Sequence, residues 1–97
     1  MSAPLPRLEI DYPPEEATVA PGHYAVRVSA SEPLIEAEVS VDRGPWQPCR
    51  HACGFWWHDW SGGAAGEHSV AARGTTRDGR TVNGVLRRFA VGTAARL

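Results

Sequence analysis

The residues best suited to chemistry in this 97-residue chain lie in one short stretch, Gly44–Trp60. The stretch holds all four tryptophans, both cysteines and two of the four histidines. Cysteine and histidine side chains ligate zinc, and a cysteine beside a histidine can become an activated thiolate nucleophile. The candidates for this chemistry are Cys49, His51, Cys53 and His58.

The spacing of these residues argues against a metal site. Three residues separate Cys49 from Cys53, one more than in the usual zinc knuckle, and no second matching pair exists. In an extended strand the two would lie roughly 13 Å apart, too far to share an ion. A disulfide would need Cα atoms within about 7 Å. We therefore predict no metal and no cofactor, and we expect free thiols. A metal- or redox-responsive domain that uses the four candidates is the alternative function.

Covalent catalysis is also disfavoured by the sequence. No oxyanion-hole motif accompanies the cysteines, and no third residue can be placed to orient a histidine. A sandwich of this size rarely encloses a pocket of a few hundred cubic ångströms. The sequence therefore predicts a protein that is not an enzyme.

The aromatic residues point instead to a binding surface. If 54–60 is a β-strand, one face carries Phe55, Trp57 and Asp59, and the other carries Trp56, His58 and Trp60. Both faces are rich in aromatic side chains, although a strand in a two-layer sandwich turns only one face to the core. Something must therefore cover the second face.

Three coverings are open. One is a loop of the same chain that carries Trp46. Another is a partner protein, because interfaces concentrate aromatic side chains. The third is a sugar stacked on the rings beside Arg50 and Asp59. The predicted binding residues are Trp46, Arg50, Phe55, Trp56, Trp57, His58, Asp59 and Trp60.

Composition narrows the class of partner. The net charge is −1 and the basic residues are scattered, whereas a nucleic-acid footprint needs a basic stripe. No stretch approaches the roughly 18 apolar residues of a membrane helix. The first residues lack a basic segment followed by an apolar run, so no signal peptide is indicated. If Met1 is the native start, we expect a cytoplasmic protein that binds neither nucleic acid nor membrane.

Alternating apolar and polar residues predict about seven strands. They fall at 8–12, 23–30, 35–41, 45–49, 54–60, 67–74 and 81–91, with a short edge segment within 15–20. No helical period occurs. The prediction is one all-β domain over 1–97, an antiparallel immunoglobulin-like sandwich with an ordered core of about 8–91 and tails at 1–7 and 92–97.

Several finer expectations follow from the same pattern. Residues 50–53 should form a loop, and Gly44 should supply the positive φ of the turn at 42–44. Glu36, Glu38 and Asp42 should form a solvated acidic face that pairs with Arg27 or Arg73. The residues expected to face the core along 35–41 are Ile35, Ala37, Val39 and Val41. Along the last strand, Val85, Phe89 and Val91 should share one face, and Val82 and Leu86 the other.

Two segments carry a resemblance to a known family. Ile35–Trp46, IEAEVSVDRGPW, resembles a strand and turn of bacterial immunoglobulin-like modules, and Gly66–Arg73 followed by Asp78-Gly79 resembles a later strand of the same modules. The C-terminal dimerisation domain of sulfite-oxidase-type molybdenum enzymes is similar in this respect. The resemblance implies a module that contacts other protein surfaces, sometimes as a dimer, and it implies no oxidoreductase activity.

These observations favour a non-enzymatic protein-interaction or self-association module that uses its Trp-rich face. The expected partner is another protein or a second copy of the chain. Apolar anchoring would supply the binding energy, and the neighbouring polar side chains would fix orientation.

Overall fold

The computed structural model describes residues 7–22, 24–61 and 64–92, so the predicted tails lie almost entirely outside the described residues. The described residues form ten strands: β1 Leu8–Tyr12, β2 Ala17–Val19, β3 Tyr24–Ala30, β4 Leu34–Val41, β5 Gln47–Pro48, β6 Arg50–Ala52, β7 Phe55–Trp60, β8 Gly66–Thr76, β9 Thr81–Asn83 and β10 Arg87–Val91. A search of the same residues for a helix long and apolar enough to cross a membrane finds none.

The strands form two sheets. One has four strands in the order β1-β3-β7-β6, and the other has six, in the order β2-β10-β8-β4-β5 with β9 also paired to β8. All pairs are antiparallel except β2 with β10. The prediction of an all-β immunoglobulin-like sandwich is confirmed. The strand count exceeds seven because the short edge segment, the expected loop at 50–53 and both halves of the last strand are separate strands.

The core lies between the sheets and is built from alternate residues of the long strands. Val26 and Val28 of β3 face Val39 of β4 and Val70 of β8, and all four are 0% exposed. Burying a valine completely stabilises the fold by roughly 1.5–3 kcal/mol. The four-stranded sheet thus already turns one side to the core, which leaves its other side outward.

A bulge overturns the expectation for Ile35. The pairing of β4 with β8 shifts register between Leu34 and Glu36, so Ile35 is an extra residue on β4. Its side chain therefore does not point to the core. Ile35 is 60% exposed, whereas Ala37 and Val39 are buried as expected.

The turn after β4 differs from the prediction that Gly44 supplies the positive φ. Asp42 and Arg43 carry it instead, at 52° and 60°. The Gly44 N–H donates to the Val41 carbonyl over 2.9 Å, which closes the turn. Positive φ at both central residues defines a type I′ turn, whose twist matches that of flanking strands.

The chain changes sheet at Cys49. β5 pairs with β4 in the six-stranded sheet, whereas β6 pairs with β7 in the four-stranded sheet. Between them, the Cys49 N–H donates to the Ala37 carbonyl over 2.9 Å. The prediction that 50–53 is a loop is therefore wrong, because a two-residue turn with positive φ at Cys53 and Gly54 lets β6 fold directly onto β7.

The last predicted strand is interrupted at Gly84. A Cβ atom at Gly84 would lie 3.0 Å from the Leu8 carbonyl oxygen, so only glycine fits this crossing without displacing the backbone. The alternation changes there: Val82 and Phe89 both face the core, whereas Val85 is 83% exposed and Leu86 is 41% exposed. The expected face sharing along 81–91 is confirmed for Phe89 and Val91, which are both buried. It is wrong for Val82 and Val85, because it assumed one continuous strand.

The positive φ of Arg43 predicts the direction in which a glycine at this position changes the free energy of unfolding. We expect Arg43→Gly to raise the free energy of unfolding by about 0.5 kcal/mol. The left-handed conformation costs a non-glycine residue roughly 1–2 kcal/mol, and the greater freedom of unfolded glycine offsets about 0.5–1 kcal/mol of the relief. Urea denaturation monitored by tryptophan fluorescence measures the change.

The matched control is Arg77→Gly. Arg77 lies in another exposed turn but is not among the described residues with positive φ. Glycine there should lower stability by about 0.5–1 kcal/mol. Equal changes in the two variants would contradict the assignment of strain to Arg43.

Candidate functional site

The aromatic strand β7 lies between β3 and β6, so its register with β3 decides where each ring points. His58 is opposite Val26, and Trp56 is opposite Val28. Both valines are fully buried, so Trp56, His58 and Trp60 lie on the inward side of the sheet. Phe55, Trp57 and Asp59 therefore lie on the outward side, with the alternation that the sequence predicts.

The outward side carries a compact group of side chains that we name the outer aromatic face: Arg27, Arg50, Phe55, Trp57 and Asp59. The Phe55 and Trp57 ring centroids are 6.0 Å apart at an interplanar angle of 76°. The Arg27 guanidinium carbon lies 4.4 Å from the Phe55 ring centroid, a cation–π contact. The Trp57 indole N–H donates to the Ala52 carbonyl over 2.9 Å. These contacts fix the orientation of both rings, which remain half-buried.

Two ion pairs accompany these rings. Arg27 Nε lies 3.4 Å from the carboxylate of Asp11, which also accepts a hydrogen bond from Ser29. The expected pairing of Arg27 with the acidic face of β4 is therefore wrong, because β3 and β4 lie in different sheets. Arg50 Nη2 lies 3.3 Å from Asp59 Oδ1, and these side chains are 60% and 75% exposed.

The inward aromatic residues are part of the core. Trp56 and Trp60 pack against the buried cluster. The Trp60 ring lies edge-on to Phe89, with centroids 5.6 Å apart. Trp56 also stacks on His51 at the open edge of the sandwich, with centroids 4.6 Å apart. Their burial explains why β7 can carry aromatic residues on its inward side without a partner.

Trp46 lies on the opposite sheet from the outer aromatic face. The Arg73 guanidinium carbon is 4.1 Å from its ring centroid, and Arg73 Nε donates to Glu38 over 2.9 Å. The pairing of Glu38 with Arg73 confirms one alternative for the acidic face. The alternative in which Trp46 covers the second face of β7 is wrong, because the chain changes sheet at Cys49. The eight predicted binding residues are thus divided among two outer surfaces and the core.

The four candidate metal or redox residues are spread over different environments. Cys49 is partly buried against the core, and burial, assisted by the charge of Glu38, raises the pKa of its thiol to about 11. Cys53 is exposed in the turn between β6 and β7. His51 lies against Trp56, and His58 lies opposite Val26. Over residues 7–22, 24–61 and 64–92, no three His, Cys, Asp or Glu side chains are grouped so as to hold a metal ion.

His68 was not among the candidate residues, but its ring contacts both Asp42 and Ala64. Its Nδ1 lies 2.6 Å from Asp42 Oδ2, and its Nε2 lies 2.6 Å from the Ala64 carbonyl oxygen. Both neighbours are acceptors, so only the doubly protonated imidazolium satisfies both. The Ala64 carbonyl, with the Asp42 carboxylate, raises the pKa of His68 although partial burial opposes the shift.

The pair of Asp42 and His68 resembles the orienting half of a catalytic triad, but its chemistry differs. In a triad the second imidazole nitrogen takes a proton from a nucleophilic hydroxyl. Here the Ala64 carbonyl occupies that nitrogen, and the backbone N–H of Ser69 donates to Asp42 over 2.9 Å. The imidazole therefore holds together the ends of β4 and β8 and has no substrate-facing nitrogen.

Comparison with known proteins supports the fold but shows no family. No protein-family model matches the chain, and no curated protein matches its sequence. An engineered protein has a TM-score of 0.76 and 25% identity over 92% of this chain and 20% of its own. A modular endo-β-1,4-mannanase of Cellulomonas fimi has a TM-score of 0.72 and 25% identity over 91% of this chain and 19% of its own.

A third structure matches over nearly its whole length. The fibronectin(III)-like modules of Clostridium thermocellum CbhA have a TM-score of 0.70 and 15% identity over 91% of this chain and 99% of theirs. The chain thus spans about a fifth of the first two proteins and nearly all of the third. These matches support an immunoglobulin-like sandwich of the fibronectin-III-like kind. The resemblance to sulfite-oxidase-type dimerisation domains stays a prediction.

The contacts of His68 generate a prediction about pH. Since the folded-state pKa is raised above the ordinary value of 6.5, this histidine stabilises the fold fully below about pH 6.5. The contribution is lost as pH rises through the folded-state pKa. We expect the free energy of unfolding of wild type, relative to His68→Gln, to fall between pH 5.5 and 8.5, as measured by urea denaturation.

The control for this experiment is His51→Gln, at an exposed histidine on the sandwich edge. That variant should keep the pH dependence of the wild type. A wild-type advantage over His68→Gln that stays constant with pH would show that His68 acts as a neutral side chain.

The placement of the cysteines generates a prediction about thiol reactivity. At pH 7.5 the folded protein should release one equivalent of thionitrobenzoate rapidly from Ellman's reagent, through exposed Cys53. Cys49 should react slowly until urea unfolds the chain, because its raised pKa leaves little thiolate and its burial limits access. The variants Cys53→Ser and Cys49→Ser assign the two phases, and protection of Cys53 that a chelator removes would favour the metal alternative.

Proposed function

We propose that this chain is a non-enzymatic protein-interaction module that binds its partner through the outer aromatic face. The observation that carries the proposal is the position of Phe55 and Trp57 on the outward side of a sheet whose inward side already packs on the core. Aromatic side chains supply large contact areas at interfaces, and they dominate binding energy when a partner excludes water from them.

The rigidity of the face supports this role. β7 is an interior strand of its sheet, paired with β3 and β6 on its two sides. The cation–π contact of Arg27 and the indole hydrogen bond of Trp57 hold the rings in place before a partner arrives. Such preorganisation reduces the entropy lost on binding.

The polar neighbours support a protein partner. Arg50 and Asp59 lie beside the rings and are largely exposed. An interface commonly has an apolar centre and a polar rim, and charged groups at the rim set orientation and association rate more than affinity. This arrangement agrees with apolar anchoring by the rings and orientation by the ion pair.

The geometry of the rings disfavours the sugar alternative. A sugar stacks on open, similarly oriented ring faces, but Phe55 and Trp57 are inclined at 76° to each other. Arg27 also covers one face of the Phe55 ring. The rings therefore form a ridged apolar surface, which suits the side chains of a protein better than a flat sugar.

Two features support a role without catalysis. The Cys49 thiol has a raised pKa, and the second imidazole nitrogen of His68 is occupied by the Ala64 carbonyl. Neither group is therefore prepared as a nucleophile or a general base. The match to fibronectin(III)-like modules is compatible with this reading.

Binding of the dye anilinonaphthalene sulfonate tests whether the outer aromatic face is available. The dye is apolar and anionic, so rings beside Arg50 should bind it and enhance its fluorescence. The double variant Phe55→Ser/Trp57→Ser should lose most of the enhancement, several-fold or more, while Trp46→Ser on the other sheet keeps it. Near-ultraviolet circular dichroism confirms folding, and loosening of the variant would raise the fluorescence rather than lower it.

Two results would overturn the proposal. One is a wild-type protein that gives no enhancement at all. The other is an enhancement that Trp46→Ser removes and the double variant retains.

A further inference from the structure

We infer that the partner of the outer aromatic face is a second copy of this chain, packed face to face about a two-fold axis, with Arg50 of each copy paired to Asp59 of the other. This inference rests on the proposed function, because it names the occupant of the same surface. It commits to an isologous dimer, in which one patch serves both copies.

The charge balance of the face favours self-association. The outward side of the four-stranded sheet carries Arg27 and Arg50 as cations and Asp11 and Asp59 as anions. A partner with a strongly single-signed surface would meet repulsion from half of these groups. A second copy presents the same mixture, so Arg50 of each copy can pair with Asp59 of the other.

The ion pair of Arg50 and Asp59 within one copy can be replaced at little cost by the same pair formed between two copies. Within one copy it is highly exposed, and exposed pairs contribute at most about 1 kcal/mol because water screens them. Breaking the pair therefore costs little. Re-forming it across an interface that excludes part of the water strengthens the attraction.

The strand register makes the exchange geometrically possible. Arg50 on β6 is directly opposite Trp57 on β7, and Asp59 lies two residues further along β7. A two-fold axis that crosses the strands at the level of Trp57 reverses the strand direction of the second copy. The partner's Asp59 then lies about 7 Å along the strand on the other side of Trp57, within reach of the long Arg50 side chain. The two Trp57 rings meet at the centre.

The size of the face predicts weak association. The four-stranded sheet is roughly 19 Å wide, and its strands of three to seven residues are roughly 10–24 Å long. The projected area of about 350 Å² is well below the roughly 800 Å² per partner of a standard interface. A dissociation constant on the order of 0.1 mM is therefore expected.

Complementation between charge-reversal variants tests the inference. Sedimentation equilibrium from about 0.01 to 1 mM, in reducing buffer because Cys53 is exposed, should show that wild type dimerises. Arg50→Glu and Asp59→Arg should each stay monomeric, since each dimer would oppose like charges. An equimolar mixture of the two should form a heterodimer, because both cross-copy contacts between positions 50 and 59 are again between opposite charges.

The matched control is Arg88→Glu, at a side chain that is 69% exposed on the other sheet. It should dimerise as wild type does. Phe55→Ser/Trp57→Ser should be monomeric at every concentration. A structural role for the ion pair within one copy would not predict rescue by mixing.

Two outcomes overturn the inferred two-fold dimer with its exchanged ion pairs and leave the proposed function standing. One is a wild type that stays monomeric at 1 mM, about ten times the expected dissociation constant, although dye still binds the face. The other is a wild-type dimer that the aromatic variant abolishes but mixing does not restore, which refutes the two-fold exchange. Absence of dye binding at the face would remove the proposed function and the dimer together.

Discussion

A strand in a two-layer sandwich can turn only one side to the core, and β7 carries aromatic residues on both. Trp56 and Trp60 satisfy this constraint on the inward side by packing against the buried cluster. Phe55 and Trp57 are left outward, where Arg27 and the Ala52 carbonyl hold them in place. The functional proposal depends on this division of one strand into a structural side and an exposed side.

The change of sheet at Cys49 decides which aromatic residues can act together. Trp46 precedes the change and stacks on Arg73 of the six-stranded sheet, whereas Phe55 and Trp57 follow it on the four-stranded sheet. Residues that are close in sequence therefore lie on opposite outer surfaces.

A side chain covers the β1 edge of the four-stranded sheet. There the Arg87 guanidinium donates to the Ile10 carbonyl over 2.6 Å. This contact covers backbone that could otherwise pair with another strand.

The sequence predicts those features that depend on local alternation. It identifies the long strands, the buried positions of Ala37 and Val39, and the two faces of β7, because these follow from the period of two in each strand's own residues. It fails for Ile35 and Val85, where a bulge and a break at Gly84 shift the period. Such irregularities arise from pairing with distant strands, which no local window contains.

The features of the candidate site likewise separate into those that follow from local alternation and those that depend on strand pairing. The outward position of Phe55, Trp57 and Asp59 follows from alternation alone. The place of Trp46 in another sheet and the contact of Arg27 with Phe55 follow from which strands pair, which the sequence does not state. His68 carries a detectable signal, since it alternates with buried Val70 and Ala72, but its partner Asp42 lies 26 residues earlier in the chain.

Hydroxyl-radical footprinting at low and high protein concentration tests most directly the claim that two copies meet through the outer aromatic face, because it reports the accessibility of each aromatic ring in turn. The account predicts that oxidation of Phe55 and Trp57 slows as the protein is concentrated, while oxidation of Trp46 on the other sheet stays constant. Unchanged oxidation at Phe55 and Trp57, or protection that develops at Trp46 instead, would contradict it.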